Sequence, residues 1–380
     1  MKKAFQLKSD RFLSLDVFRG LTIALMIVVN TPGTGAKMYP YLVHAQWFGF
    51  TLADLVFPSF LFAMGNAMSF SMEKMKQASV GAFWKKIIKR TLIIFLLGYL
   101  MYWFPFFEIN ARGDWMLKPI AETRIMGVLQ RIALCYFFSA IIFYYLSKKA
   151  TVIISGIVLL SYWAILYIFG NPGAELDIAG NAGAKLDMAV LGLGHIYKGD
   201  VIPFDPEGIL STLPSIVNVI GGYLVGVFIR KKGKSFEGIS KLLMAGFILA
   251  CLALFWDLTF PISKKLWTSS FVLFTIGLDL SIMAILIYAI EFRKIKKGVR
   301  FFDVFGKNPL FIYLFSELFF ITLRLIPTPS GHDVFEWVSE RIFQLVIPGP
   351  LGSLTTALVF TLLCWSLGWW LDKKRIYIKI

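Results

Sequence analysis

Apolar positions run along this chain in long blocks, separated by short polar and often basic joints. Several blocks approach or exceed the ~20 residues that a helix needs to cross a bilayer. The pattern predicts ten membrane-spanning helices, at about 12–30, 50–72, 87–107, 125–147, 150–170, 211–230, 239–257, 266–291, 305–326 and 351–371. No long alternating strand pattern of the kind that builds a transmembrane barrel is present. The expected fold is an all-α polytopic membrane protein, one transmembrane domain over residues 1–380 with no separate soluble domain. Residues Phe335, Trp337, Val338, Ile342, Phe343 and Val346 have amphipathic spacing, which predicts a segment lying along the interface at 335–347. Two inverted halves of five spans are arithmetically compatible with this layout, but no motif repeats between them.

Composition agrees with the pattern. Hydrophobic residues make up 57% of the chain and charged residues only 16%, against about 25% in soluble domains. The net charge of +16 would suit a nucleic-acid binder, but its placement does not. The basic residues sit in short clusters between apolar runs, not in aromatic-laced patches. Alternating the joints puts 26 Lys and Arg on one side and 10 on the other, with Arg19, Arg131 and Lys307 near or in the membrane. By the positive-inside rule this predicts N-in, C-in topology. His44 and the 171–208 and 327–350 loops then face outward. Cys135, Cys251 and Cys364 all lie in apolar runs without CxxC spacing, so neither a disulfide framework nor a zinc site is indicated. The N-terminus carries no cleavage signature, and the first apolar run is long enough to remain as a span.

Chemistry concentrates at residues 30–65. Here an apolar run ends at Asn30, a Gly/Pro turn follows, and His44, one of three histidines, precedes a second run carrying Asp54. Titratable groups near membrane depth are costly, and this makes them functional candidates. A neutral His44 could take a proton from an attacking amine or hydroxyl, or accept an acyl group itself. The plainer alternative is an interfacial histidine bonded to a turn carbonyl. Asn30 could donate to a developing oxyanion or cap its helix ahead of Pro32 and Gly33. Were 44–54 one helix, about 15 Å would separate His44 from Asp54. Contact therefore needs a bend in 44–50, which Gly49 permits; otherwise Asp54 serves a structural ion pair, with Arg131 or Lys307 as candidates.

Other polar residues carry weaker signals. Asp16 and Arg19 are spaced i,i+3, on one helix face. Gln130 and Arg131 sit inside an apolar run, where the cation needs a carboxylate or a ligand phosphate. Lys264, Lys265 and Trp267 crowd the mouth of the eighth run, an interfacial belt or a place to hold phosphate and stack a base. His195 and Asp200 match the HxxxxD of glycerolipid acyltransferases, with Pro206-Glu207-Gly208 after them. Those enzymes place both motifs in a cytosolic soluble domain, whereas here they fall in an outer loop. No Walker loop, dinucleotide fingerprint, HExxH or GxSxG is present.

Taken in order, the motifs form a set. Arg11-Phe-Leu-Ser-Leu-Asp16-Val-Phe-Arg19-Gly20 leads to Asn30. Then come His44-Ala-Gln-Trp47-Phe-Gly49-Phe-Thr51-Leu-Ala-Asp54-Leu-Val-Phe-Pro58, Met126 to Leu134, Asp205-Pro-Glu-Gly and Lys264 to Phe271. From about residue 11 to the end of the tenth run this resembles the heparan-α-glucosaminide N-acetyltransferase family, most closely its bacterial, NagX-like members. The resemblance implies transfer of acetyl from acetyl-CoA to the amino group of a glucosamine-type sugar or oligosaccharide, without a metal. It implies His44, Asn30 and Asp54 as catalytic residues. Gln130, Arg131, Lys264, Trp267, Lys307 and Asn308 are the residues expected to hold acetyl-CoA. The expected setting is a bacterial inner membrane, with the lipid bilayer and an amino-sugar acceptor as partners, a homodimer admitted, and no nucleic acid. An amino-sugar permease and an O-acetyltransferase of cell-envelope glycan are the competing readings.

Overall fold

The computed structural model describes residues 12–109, 113–232 and 234–378. Lys2, Lys3, Lys8, Arg11, Arg112 and Lys379, all used above in the charge alternation, lie outside the described residues. The chain is an all-α polytopic membrane protein. Its long helices are α1 (Leu13–Asn30), α2 (Leu52–Lys76), α3 (Val80–Trp103), α4 (Val128–Tyr145), α5 (Lys148–Phe169), α7 (Thr212–Lys232), α8 (Phe236–Asp257), α9 (Ser269–Leu286) and α13 (Pro350–Lys373). Between them lie the short α6 (Ala182–Val190), α10 (Val299–Lys307), α11 (Pro309–Leu325) and α12 (Val334–Val338). A two-stranded antiparallel ribbon, β1 (Phe107–Ile109) with β2 (Trp115–Leu117), follows α3.

Among the described residues, eight of the helices are long and apolar enough to cross a membrane, and α10 with α11 makes a ninth if that bent pair is one span. The expected third span, 87–107, is where the count falls short of ten. α3 is a continuous helix, but Lys85, Lys86, Lys89 and Arg90 occupy its first half. Its uncharged part, Thr91–Trp103, rises only ~20 Å, less than a bilayer core. The expected ninth span, 305–326, is broken: α10 and α11 meet at 86°. Pro309 disfavours helical geometry at Asn308. Asn308 instead ties down the C-terminal tail, donating from Nδ2 to the Ile376 carbonyl (3.0 Å) and accepting at Oδ1 from the Ile378 N–H (2.8 Å). The expected interfacial segment 335–347 becomes α12 followed by a π-helical turn, Ser339–Gln344.

α2 and α7 form the centre. In each, 78% of the most apolar stretch is buried, against 17% in α5, whose apolar surface is left for lipid. α2 sets the axis of the molecule. Asp54 lies one turn inside its start and Lys74 and Lys76 lie in its last turn, ~33 Å away. At the basic end, Arg230 at the foot of α7 pairs with Glu73 (2.8 Å), and Lys307 pairs with Asp303 and Asp372 (both 2.8 Å). At the opposite end, the segments before α2, α7 and α9 meet around the cavity at His44.

Candidate functional site

α1 stops at Asn30 because Thr31-Pro32-Gly33 cannot extend it; the Thr31 N–H closes the last turn on the Ile27 carbonyl (3.1 Å). After a single 3-10 turn at Pro40–Leu42, residues 43–51 take an irregular path into α2. Gly49 makes the bend, with φ +100°, a region that side-chain-bearing residues rarely enter. Three bonds pin the segment to its surroundings. Gly49 N–H donates to the Ile262 carbonyl (2.8 Å), Ser263 Oγ to the Trp47 carbonyl (2.6 Å), and Trp47 Nε1 to the Leu176 carbonyl (2.8 Å).

Thr51 is the N-cap of α2 and Asp54 its N3 residue, and together they form a capping box. Asp54 Oδ2 accepts from the Thr51 N–H (2.9 Å) and the Ala45 N–H (3.2 Å). Its other oxygen, Oδ1, lies 2.8 Å from His44 Nδ1. The bend that contact required is therefore present, and Asp54, wholly buried, fixes both the helix start and the imidazole. A carboxylate accepting at Nδ1 puts the proton there and leaves the lone pair on Nε2. Burial and the Lys264 charge hold the His44 pKa below its ordinary value, against the opposing pull of Asp54.

His44 borders a cavity of about 50 Å³ whose wall also includes Asn30, Glu207 and Lys264, with apolar Val56 and Phe57. Asn30 does not cap α1. Its Nδ2 donates to Glu317 Oε1 on α11 (3.0 Å). An amide has two N–H donors, and Glu317 takes one of them. Lys264 comes from the turn before α9, and burial pushes its pKa down. Glu207 is held by Arg124, which spans two carboxylates. Arg124 Nε and Nη2 bind Asp205 Oδ2 and Oδ1 (3.0 and 2.6 Å), and Nη2 also reaches Glu207 Oε2 (2.7 Å). Burial pushes the Glu207 pKa up, but Arg124, Lys264 and Arg131 outweigh it and hold the group at about 2.

The residues expected to hold acetyl-CoA are dispersed. Arg131 is fully buried and does not line the cavity. Its Nη2 donates to the Gly208 carbonyl (3.1 Å) and to Ser211 Oγ, and its guanidinium lies 4.8 Å from the Trp267 ring centroid. It touches neither Asp54 nor any other carboxylate among the described residues. Gln130 is buried beside it, with neither amide atom hydrogen-bonded among the described residues. Trp267 is wholly enclosed and offers no face for a base. Phe57 and Phe271 pack edgewise on it, and its Nε1 donates to Asn218 Oδ1 (3.0 Å). Lys307 and Asn308 stand at the basic end of the molecule, at the α10–α11 break. Of the six, Lys264 alone lines the His44 cavity.

Lys307 does border a second, much larger cavity of about 1,090 Å³ between α3 and α11. Arg19, Lys86, Arg90 and Lys307 line its basic end, and Leu97, Met101, Leu314 and Leu318 line its length. Arg19 is also paired with Asp16 (2.9 Å) as its i,i+3 spacing suggests. The HxxxxD residues do not act together. His195 Nδ1 bonds the Thr123 carbonyl (2.7 Å), and Asp200 pairs with Lys265. Sequence reasoning passed over Arg124 and Glu317 and read Glu207 only as part of a motif. Polar residues in apolar or Pro/Gly-rich context were the available signal for all three.

Fold and site together define an integral membrane protein built around a carboxylate-backed histidine at one end of its helix bundle. The chain belongs to the heparan-alpha-glucosaminide N-acetyltransferase catalytic family, whose model matches residues 11–254. That match takes in Asn30, His44, Asp54, Arg131 and Glu207, and ends before Lys264. The human heparan-alpha-glucosaminide N-acetyltransferase is 26% identical over 430 aligned positions, covering 97% of this chain and 60% of the relative. The mouse protein of the same name is 25% identical over 434 positions, covering 98% of this chain and 61% of the relative. The chain thus spans about three fifths of the length of these relatives.

Proposed function

We propose that this protein is a membrane acetyltransferase that moves acetyl from acetyl-CoA to the amine of a glucosamine-type sugar, in a bacterial inner membrane. The observation that carries the reading is the Asp54-locked His44 ring on a small cavity shared with Asn30, Glu207 and Lys264. On this reading the basic end of the bundle faces the cytosol, and His44 lies toward the outer face. The α3–α11 cavity suits the donor, with cations for the CoA phosphates at the cytosolic end and an apolar length for the pantetheine arm. Its basic lining replaces Trp267 and Arg131 as the place for the nucleotide.

His44 Nε2 serves as general base. It takes a proton from the acceptor nitrogen as that atom forms its bond to the acetyl carbonyl carbon, and returns a proton to the leaving CoA sulfur. The second N–H of Asn30 and the Lys264 ammonium stabilise the carbonyl oxygen as charge develops on it. The same Nε2 lone pair would accept acetyl in a two-step course. An acetyl-His44 species trapped with acetyl-CoA in the absence of acceptor assigns that course, and its absence in single turnovers assigns the direct one.

The deciding experiment is turnover of acetyl-CoA by the purified protein against a panel of amino sugars, with the matching hydroxyl sugars beside them. Transfer to amines is expected. Transfer to hydroxyls alone overturns the N-acetyl reading, and uptake of amino sugar into proteoliposomes without acetyl-CoA, with no transfer, replaces it with a permease. The acid limb of kcat supplies a second check. His44 must be neutral to act, and its pKa is lowered. Once the acceptor's own ammonium ionisation is divided out, the His44 limb is therefore expected below pH ~6.5, the ordinary imidazole value, at the lowered value. Lys264→Met removes one cause of the lowering and is expected to move the limb to higher pH. A limb unmoved by that substitution would take Lys264 out of the electrostatics of the pocket.

A further inference from the structure

Acetyl transfer by His44, with Asn30 and Lys264 on the carbonyl oxygen, leaves one polar wall of the cavity without a task. Among the described residues Glu207 is the cavity's one lining carboxylate. We propose that Glu207 is the receptor for the acceptor's amino group, binding it as an ammonium ion and thereby selecting amines over hydroxyls. The inference rests on the acetyl-transfer reading and adds to it a residue that sets the acceptor's chemistry.

The cavity's size comes first. At about 50 Å³ it has room for a few atoms, since one water needs at least ~10–15 Å³. It therefore receives the reacting end of a substrate rather than a sugar ring, and whatever lines it meets the reacting atoms. Charge comes second. Arg124 already has both oxygens of Asp205, through Nε and Nη2, before its contact with Glu207 Oε2 is counted. Two carboxylates share the Arg124 guanidinium, which reaches Glu207 only at Oε2, and the neighbouring Lys264 and Arg131 charges help keep Glu207 ionised. Lys264, on the same wall, forms no ion pair with it among the described residues. The cavity thus offers a carboxylate and an ammonium as separate handles, one for each reaction partner. Position comes third. Glu207 is buried, and its backbone N–H donates to Asp205 Oδ1 (3.0 Å), so the side chain is held in place before substrate arrives. The neighbouring cations keep it ionised across the working range.

The proton count closes. The acceptor enters as R–NH3+ and is held by Glu207. One proton leaves to water at the exposed His44 side of the pocket. The neutral amine attacks, the C–N bond forms and the C–S bond breaks. The second nitrogen proton passes to His44 Nε2 and on to the CoA sulfur, giving R–NH–acetyl, CoA–SH and one released proton. Glu207 remains a carboxylate throughout. A hydroxyl acceptor brings no positive charge and gives Glu207 only a neutral-donor hydrogen bond.

The test compares Glu207→Gln and Glu207→Asp in the purified full-length protein, with glucosamine and glucose as acceptors. Gln keeps the size and an acceptor oxygen for Arg124, which stays paired to Asp205; Asp keeps the charge. Loss of one charge-assisted hydrogen bond is expected to raise the glucosamine KM at least ~10-fold in Glu207→Gln. The acetyl-CoA KM should stay within about threefold, and the preference for glucosamine over glucose should shrink by a similar factor. Glu207→Asp is expected to recover most of the glucosamine KM. An unchanged glucosamine KM in Glu207→Gln, equal losses in Gln and Asp, or donor and acceptor KM rising together would each overturn the proposal while leaving acetyl transfer intact. A wild-type protein that acetylates no amine overturns the acetyl-transfer reading, and this inference with it.

Discussion

Alanine in place of His44 is expected to lower kcat/KM for acetyl transfer by at least ~10³-fold, within the ~10²–10⁴ that a positioned general base contributes once loss of any nucleophilic role is added. Asp54→Asn is expected to reproduce most of that loss without removing the ring. In the native arrangement Asp54 Oδ1 accepts from His44 Nδ1 while Oδ2 accepts from Thr51 and Ala45. An asparagine can keep its oxygen on the Thr51 and Ala45 N–H groups and so preserve the helix start. It must then present its NH2 to Nδ1. That forces the imidazole proton onto Nε2 and leaves no lone pair facing the cavity. A catalytic-triad aspartate changed to asparagine loses about 10⁴ in kcat through the same tautomer inversion. Melting temperature separates the two roles of Asp54: it should change little in Asp54→Asn while kcat collapses. A variant that keeps kcat within a few-fold of wild type would dissolve the pairing as the source of His44's reactivity.

The long apolar helices were legible because lipid demands them, and most of their ends lie within about four residues of expectation, but α3 starts seven residues early and α10 six. α3 stands apart: Thr91 to Trp103 reads as membrane, but the four cations before it shorten the uncharged rise. The His44–Asp54 contact was half legible. Spacing along one helix argued against it, and Gly49 was the residue that allowed it. A stronger local signal lay in Thr51-Leu-Ala-Asp54, an N-cap with an acidic N3 residue, which says that α2 starts at Thr51 and that 43–50 is not helix. Contacts between distant segments left no such trace. Nothing near Asn30 points to Glu317, 287 positions away, and nothing near Lys264 points to His44. Trp267 looked like an interfacial belt residue because Lys264 and Lys265 precede it. Its backbone takes φ +55°, which turns the ring inward beneath Arg131, and a conformation so unusual for a bulky residue cannot be anticipated from its neighbours.

Valine in place of Gly222 is expected to cost the protein its fold, and with it every activity above. α2 and α7 approach so closely that a Cβ on Gly222 would lie 1.9 Å from the Phe62 carbonyl oxygen, and one on Gly65 would lie 2.0 Å from the Val219 carbonyl oxygen. The contact is reciprocal, each glycine facing the carbonyl three residues before its partner. Inside a bilayer, helices gain little from leaving lipid for each other, so association depends on close packing of this kind. A side chain here meets backbone, which cannot rotate aside as a flexible neighbour could. The helices must separate, and overpacking of this sort costs at least ~1–3 kcal/mol even where relief is available. The damage also reaches the site. α2 carries Asp54 at its start, and α7 begins just after the turn that holds Glu207, so parting the two widens the cavity between His44 and Glu207. Gly156→Val on α5 is the matched control, because nothing lies within 4 Å of a Cβ at that position. In detergent, Gly222→Val should show a large fall in monodisperse yield and melting temperature, while Gly156→Val should match wild type. If Gly222→Val melts within a degree or two of wild type, the α2–α7 contact is not what holds the two halves of the site together.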